Sequence, residues 1–430
     1  MSQPPDMRRR DILMGMLPIN MRRRVEPVLE MVGIIRKAES IKTMGSFIPS
    51  ALRGTILRQG RTQSSTKMFS GHTAHFDWEY KSEKPEMREL YRRAKQNQWD
   101  SDMMLDWSID VDPYNTEVPL LPLHFWDEVN FPKNIKLSNK EVVELSHSVC
   151  SWMLSQFLHG EQGALYAAAQ VTESVPWMDG KMYGATQVMD EGRHVEVFYR
   201  YIDEKLNKLY TINDNLFVII DALMTDSRWD MKFLGMQIMI EGLALGAFGT
   251  LYRFTKEPLL RDLLKYVIQD EARHVHFGVL ALRDYFVNEL SDAELRERQD
   301  WAFEVALLMR NRFLAHEVYE EWFEGLMSRN QWNHIVSDIP LMREFRDVMF
   351  CRLIPNLRYI GLLSDRMMEH YERAGLLKYM HRANASELSG EQIMAELNIG
   401  EPLEAHTHHH HDDDDDHHDM PPELMEMMAN

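Results

Sequence analysis

Between about Lys140 and Gly375 apolar residues recur every three or four positions, in stretches almost free of proline and glycine. That period is the mark of amphipathic helices. Breaks fall at Val175-Pro176-Trp177-Met178-Asp179-Gly180, Asn213-Asp214, Asp226-Ser227, Lys256-Glu257-Pro258 and Ser291-Asp292, where turn formers interrupt the pattern. They divide the region into helices of roughly 25–35 residues, a length typical of bundles. No segment there alternates as a strand would. The pattern predicts an all-α fold: a helical bundle over residues 137–375 with additional N- and C-terminal helices.

The flanks read differently. Residues 1–136 form an N-terminal extension that is basic at its start: residues 1–62 hold twelve Lys or Arg against five Asp or Glu, with Arg8-Arg9-Arg10 and Arg22-Arg23-Arg24 as triplets. A basic arm for a membrane surface or an acidic partner fits this charge, and a solvated extension fits it at least as well. Residues 63–136 mix aromatics, prolines and charges and predict irregular structure with one helix near 86–99. Residues 376–430 form a C-terminal segment whose stretch 406–419 holds seven His and six Asp. It has nothing to bury and is expected to be disordered, binding metal loosely at most.

Composition narrows the classes. With 44% hydrophobic and 27% charged residues the chain can bury a sizeable core. No apolar run approaches the roughly 18 residues of a membrane span, no signal peptide opens the sequence, and the expected compartment is cytoplasmic. Cys150 and Cys351 alone cannot supply a disulfide framework, a zinc site or an iron–sulfur cluster. A net charge of -19 argues against nucleic acid as partner.

The chemistry lies in spacing. Glu-x-x-His puts a carboxylate and an imidazole on one helix face, where both reach one metal ion. By chance this composition gives roughly 1.6 such pairs, so one alone means little. The chain has three: Glu144/His147, Glu191/His194 and Glu271/His274. The last two lie in the strings Asp190-Glu191-Gly192-Arg193-His194 and Asp270-Glu271-Ala272-Arg273-His274, 80 residues apart. Thirty residues before each stands another glutamate among small and apolar residues, Glu161 and Glu241.

These spacings define two hairpins. The midpoint of Glu161 and Glu191 is position 176, and that of Glu241 and Glu271 is position 256; both fall at breaks. Each carboxylate then sits about 22 Å along its helix from the turn. Two packed hairpins bring Glu161, Glu191, His194, Glu241, Glu271 and His274 to one level. Glu144 and Glu173 fail this test, and Glu144/His147 reads as a chance match on a solvated face. A lone Glu or His on a helix is usually a surface or salt-bridged residue. Six in one apolar interior are not, because burying even one unpaired charge costs several kcal/mol. Two divalent cations neutralise four carboxylates.

The double string Glu…Asp-Glu-x-Arg-His resembles the signature of the ferritin-like di-iron carboxylate superfamily over about residues 140–290. That group includes multicomponent monooxygenase hydroxylases, ribonucleotide reductase small subunits, acyl-carrier desaturases and ligand-binding oxidases. The resemblance implies a ferritin-like four-helix bundle with Glu161, Glu191, His194, Glu241, Glu271 and His274 as metal ligands. It also implies that Asp190 and Asp270 accept hydrogen bonds from ligand imidazoles across the bundle, with Arg193 and Arg273 holding those aspartates. The cofactor it implies is two Fe ions, Fe/Fe or Mn/Fe, with O2 as co-substrate.

Departures from the group sort its members. Phe198 stands four residues after His194, where most reductase small subunits carry a radical tyrosine, and no Tyr-rich tail is present. Leu245 stands where hydroxylases often have threonine, and Val267 where N-oxygenases can carry an extra histidine. The expected function is therefore an O2-dependent di-iron monooxygenase or oxidase that hydroxylates, N-oxygenates, epoxidises or desaturates a small, largely apolar organic substrate. The alternatives are a ribonucleotide-reductase-small-subunit-like radical or ligand-binding oxidase and, in another class, a non-catalytic iron-storage protein. Leu165, Ala168, Phe198, Leu245, Phe248 and Gly278 are the expected cavity wall, and Gln187 and Gln237 lie one turn before ligands. No Gly-x-Gly-x-x-Gly opens a helix, so electrons are expected from a separate reductase or ferredoxin. A homodimer is one assembly open to the chain.

Overall fold

The structure, a computed structural model, describes residues 9–37, 40–127, 129–388, 392 and 395. Among them there is no β-strand, only one isolated bridge between Glu324 and Met327. The fold is all-α. Its main helices are α1 (Ile19–Lys37), α2 (Pro85–Gln96), α3 (Asn139–Ser174), α4 (Met178–Tyr201), α5 (Asp214–Thr225), α6 (Trp229–Phe254), α7 (Pro258–Asp284), α8 (Asp292–Arg312), α9 (Arg329–Asp338) and α10 (Pro340–Tyr359).

Helix ends follow local chemistry. Ser138 and Glu141 form a reciprocal capping box that starts α3, satisfying backbone N–H groups that have no partner within the helix. Pro258 opens α7, and the Glu257 carboxylate accepts from the Leu259 and Leu260 amides at 2.9 and 2.7 Å. Both predicted hairpin midpoints lie in the connections, residue 176 between α3 and α4 and residue 256 between α6 and α7. The α3–α4 and α6–α7 hairpins pack through α4 against α7, and one continuous apolar core surrounds them.

Helix α6 is wound in two ways. Leu234–Ile240 forms a π-helical segment inside it, ending immediately before Glu241. Such widened turns cost hydrogen-bond geometry and are frequent at functional sites. The same helix corrects one expectation: Trp229–Phe254 is long and apolar enough to cross a membrane by length and composition, and 94% of its most apolar stretch is buried. It serves here as a core helix. At Gly246 it crosses α10 so closely that an added Cβ would lie 2.9 Å from the Met349 Cα.

The N-terminal extension is not merely solvated, contrary to the reading that fitted its charge. Arg61 pairs with Glu317, with Asp214 at 2.9 Å and with Glu320 at 3.0 Å. Arg53 pairs with the buried Asp221, and Arg23 reaches Glu324 at 2.8 Å. These arginines are used internally, tying residues 23–61 onto α5 and the segment after α8. Arg8 and the 406–419 His/Asp stretch lie outside the described residues.

Candidate metal centre

The six repeated residues meet at one level. Glu161 comes from α3, Glu191 and His194 from α4, Glu241 from α6, and Glu271 and His274 from α7; none is more than 5% exposed. His194 Nδ1 lies 3.3 Å from Glu161 Oε2, 3.3 Å from Glu191 Oε2 and 3.2 Å from Glu271 Oε1. His274 Nδ1 lies 3.1 Å from Glu191 Oε1 and 3.6 Å from Glu271 Oε1. Two overlapping groups result, Glu161/Glu191/His194/Glu271 and Glu191/Glu241/His274, each with its ligand atoms within 4.8 Å of one another. Glu191 belongs to both.

The outer ring nitrogens cross the bundle. His194 Nε2 is 3.2 Å from Asp270 Oδ2, and His274 Nε2 is 3.3 Å from Asp190 Oδ2. A carboxylate accepts, so each Nε2 carries a proton and each Nδ1 faces the shared centre, where a metal ion would displace its proton and take the lone pair. Arg193 Nη2 bridges Asp190 Oδ1 at 2.6 Å and Asp270 Oδ2 at 2.9 Å. Arg273 bonds Asp270 and stands 3.5 Å from Asp190. Asp190, Asp270, Arg193 and Arg273 thus form a closed square behind the histidines.

Two residues reinforce that square from the N-terminal extension. Trp99 Nε1 donates to Asp270 Oδ2 at 2.8 Å, and Arg193 stacks 4.5 Å above the Trp99 ring. Gln98 donates to Asp190 at 3.0 Å and accepts from Arg193 at 2.9 Å. Sequence reasoning missed both. The one available signal was an amide and an aromatic at the very end of the predicted 86–99 helix, which in the structure stops at Gln96.

Electrostatics show what the centre lacks. Burial and the neighbouring Glu271 push the Glu161 carboxyl well above its usual range. Burial and Glu191 do the same to Glu241. Burial opposes ionisation of Glu191 too, yet His274 and His194 hold its carboxyl below the usual range. Both imidazoles are raised well above theirs: burial opposes this, and Asp270 with the surrounding carboxylates outweighs it for His194, as Glu191 and its neighbours do for His274. Without a cation, bound protons must neutralise the cluster.

Several buried atoms also lack hydrogen-bond partners among the described residues: Glu191 Oε2, Glu241 Oε2, both Glu271 oxygens and His274 Nδ1. Orphaned acceptors in a dry interior cost free energy. They converge at 3.1–3.6 Å contacts aimed at common points. This oxygen-and-nitrogen donor set suits a metal ion such as iron or manganese. The buried Glu/His cluster could hold a metal ion.

The remaining candidates fall elsewhere. Glu144 is on the surface side of α3, but His147 is not solvated, which corrects the sequence reading. It is 5% exposed, with Nε2 3.1 Å from the Leu206 carbonyl and its ring edge-on to Tyr114. Glu173 is exposed and pairs with His72 at 2.5 Å. Gln187 reaches the centre, donating to Glu191 at 3.1 Å and Glu241 at 2.9 Å, with Gln237 behind it at 3.4 Å.

The apolar cavity nearest Phe157 is lined by residues of α3, α8, α9, α10 and the loop at 121–126, and by none of the six expected wall residues. Those six lie on the ligand helices themselves, where Phe198 and Phe248 pack against Phe157. Compared with known proteins, the chain matches no protein-family model, and no curated protein matches its sequence. What the fold and centre define is an all-α protein with a buried acidic and histidine cluster, compatible with a ferritin-like arrangement.

Proposed function

We propose that the chain is an O2-dependent oxidoreductase of the ferritin-like di-iron carboxylate superfamily, holding two iron ions, or one manganese and one iron, in the overlapping groups. The observation that carries this reading is the sharing of Glu191 between them, with Glu271 near both histidines. Shared carboxylates serve a pair of ions better than a single one.

When bound and reduced, the two ions would supply the electrons that activate O2 for hydroxylation, N-oxygenation, epoxidation or desaturation of a small organic substrate. The chain's own contribution is positioning. Asp190 and Asp270 fix the imidazole tautomers, and Arg193 and Arg273 hold those aspartates. Phe157, Phe198 and Phe248 pack ring on ring at 4.7–6.0 Å and exclude water from the Glu161 side. Gln187 holds a donor against Glu191 and Glu241. Electrons come from a separate reductase or ferredoxin.

The test is metal content after anaerobic iron loading, with stretch 406–419 deleted so that loose binding does not inflate the count. Two ions per chain in wild type, lost in Glu161→Ala/Glu241→Ala, are the expected result. Fewer than one, unchanged by the substitutions, would overturn the reading.

One observation favours a second reading, a radical-generating subunit. Tyr183 is fully buried, its hydroxyl has no partner among the described residues, and burial holds its phenol protonated well above the usual range. An electron-spin signal after aerobic loading, absent in Tyr183→Phe, would decide for it.

A further inference from the structure

Arg312 ends α8 in an unusual setting. Its side chain is only 5% exposed, and no carboxylate among the described residues lies at ion-pair distance. Its hydrogen bond runs from Nη1 to Met309 Sδ at 3.6 Å, and its guanidinium stands 4.8 Å from the Phe313 ring. Burial lowers its pKa to about 10, so it stays charged at neutral pH; Glu161 is the acidic group whose field reaches it. A buried cation without an anion is costly, and a guanidinium matches a carboxylate fork to fork.

The side chain lines the apolar cavity described above, beside Phe125, Trp126, Trp152, Phe157 and Trp332. About 60 Å³ of that cavity is open to the centres of water-sized groups. At about 10–15 Å³ for each water, this is room for roughly four to six such groups. The walls are otherwise almost wholly apolar. Phe157 connects the cavity to the centre: it precedes Glu161 by one helical turn, and its ring packs 4.7 Å from Phe248 and 6.0 Å from Phe198.

We infer that the cavity binds a small apolar monocarboxylate, a short branched alkyl acid, with its carboxylate on Arg312 and its body against Trp126, Trp152 and Phe157. A dianion such as phosphate would keep one uncompensated charge among apolar walls. That this ligand is the substrate rests on the proposed function; that it binds does not.

Isobutyrate is the probe, titrated into the metal-free full-length chain and followed by tryptophan fluorescence, with calorimetry for affinity. Isobutyramide and inorganic phosphate are the controls. Isobutyrate should bind at least tenfold more tightly than isobutyramide, and phosphate should not compete. Arg312→Met should weaken isobutyrate at least tenfold and abolish the preference, and Arg312→Lys should restore part of it. Val336→Phe, which fills the cavity and leaves Arg312, should block both ligands. Equal binding of isobutyrate and isobutyramide, competition by phosphate, or an Arg312→Met chain that binds isobutyrate as wild type does would each overturn the inference. Iron loading measured in parallel separates the two readings: two ions bound without an isobutyrate preference sinks this inference alone. Isobutyrate preference without stoichiometric iron upholds it and sinks the oxidoreductase.

Discussion

The Trp99 indole and the His194 imidazole meet on a single oxygen, Oδ2 of Asp270, at 2.8 and 3.2 Å. Arg193 reaches the same oxygen at 2.9 Å. A carboxylate oxygen so surrounded has no freedom to turn, and neither has the histidine it holds. Orientation of ligand imidazoles by such partners is worth about 10–100-fold in metal affinity.

Asp270→Asn should therefore weaken iron or manganese binding by about that factor without unfolding the chain. Asp190→Asn should act similarly through His274. Competition against a fluorescent chelator measures both, and an unchanged affinity in either would show that the square behind the histidines does not orient them.

Glu191 and Glu161 should not be equivalent. Glu191 is common to both ligand groups, whereas Glu161 belongs to one. Glu191→Gln is expected to abolish loading at both positions, and Glu161→Gln to leave one ion bound. Elemental analysis of the two variants, read beside the rise in Tm on metal addition, distinguishes them, since ligand binding to the folded state raises apparent stability.

The N-terminal arginines should prove structural. Arg61 joins Asp214, Glu317 and Glu320, and removing one partner of a buried ion pair costs about 3–5 kcal/mol. Arg61→Met should lower stability by that order in denaturant unfolding; a loss under about 1 kcal/mol would return the segment to the status of a solvated arm.

Acidity near α1 gives a pH signature. Burial raises the Glu26 pKa to about 7, with Arg329 opposing and Glu30 adding to the rise. The folded state thus prefers the protonated carboxyl. Its stability contribution is present below the ordinary value near 4.5 and is lost as pH rises through about 7. Glu26→Gln should match wild type at pH 4 and exceed it in Tm at pH 8. Equal melting at both pH values would count against this.

Much of this was legible because the informative residues share helices. Glu161, Glu191, Glu241 and Glu271 could be aligned because a straight helix converts sequence distance into height, and the two turns lie where the midpoints fall. Trp99 and Gln98 were not legible, since no periodicity relates a loop to a helix packed on it from 92 or 171 residues away. Arg312 looked like any helical arginine, because only packing against α3 and α9 removes its water. The charge of residues 1–62 misled for the same reason: composition counts arginines, not the carboxylates that meet them. His147 shows the reverse case, a side chain that lands in the core on a helix face read as solvated.

The two hairpins are copies in their ligands and opposites in their linings. Eighty residues on, Phe157 becomes Gln237 and Phe198 becomes Gly278, whose bare Cα admits Gln237 where an added Cβ would lie 2.6 Å from that side chain. Around Glu161 the neighbours are therefore aromatic and around Glu241 they are amides, and a π-helical turn leads into the ligand glutamate in the second hairpin alone. Two ions held in the two groups would occupy unequal seats, one with four candidate ligands and one with three. Filling of two such seats should follow an order, the tighter before the looser, and any difference in metal identity between them would follow from these neighbours together with the unequal ligand sets.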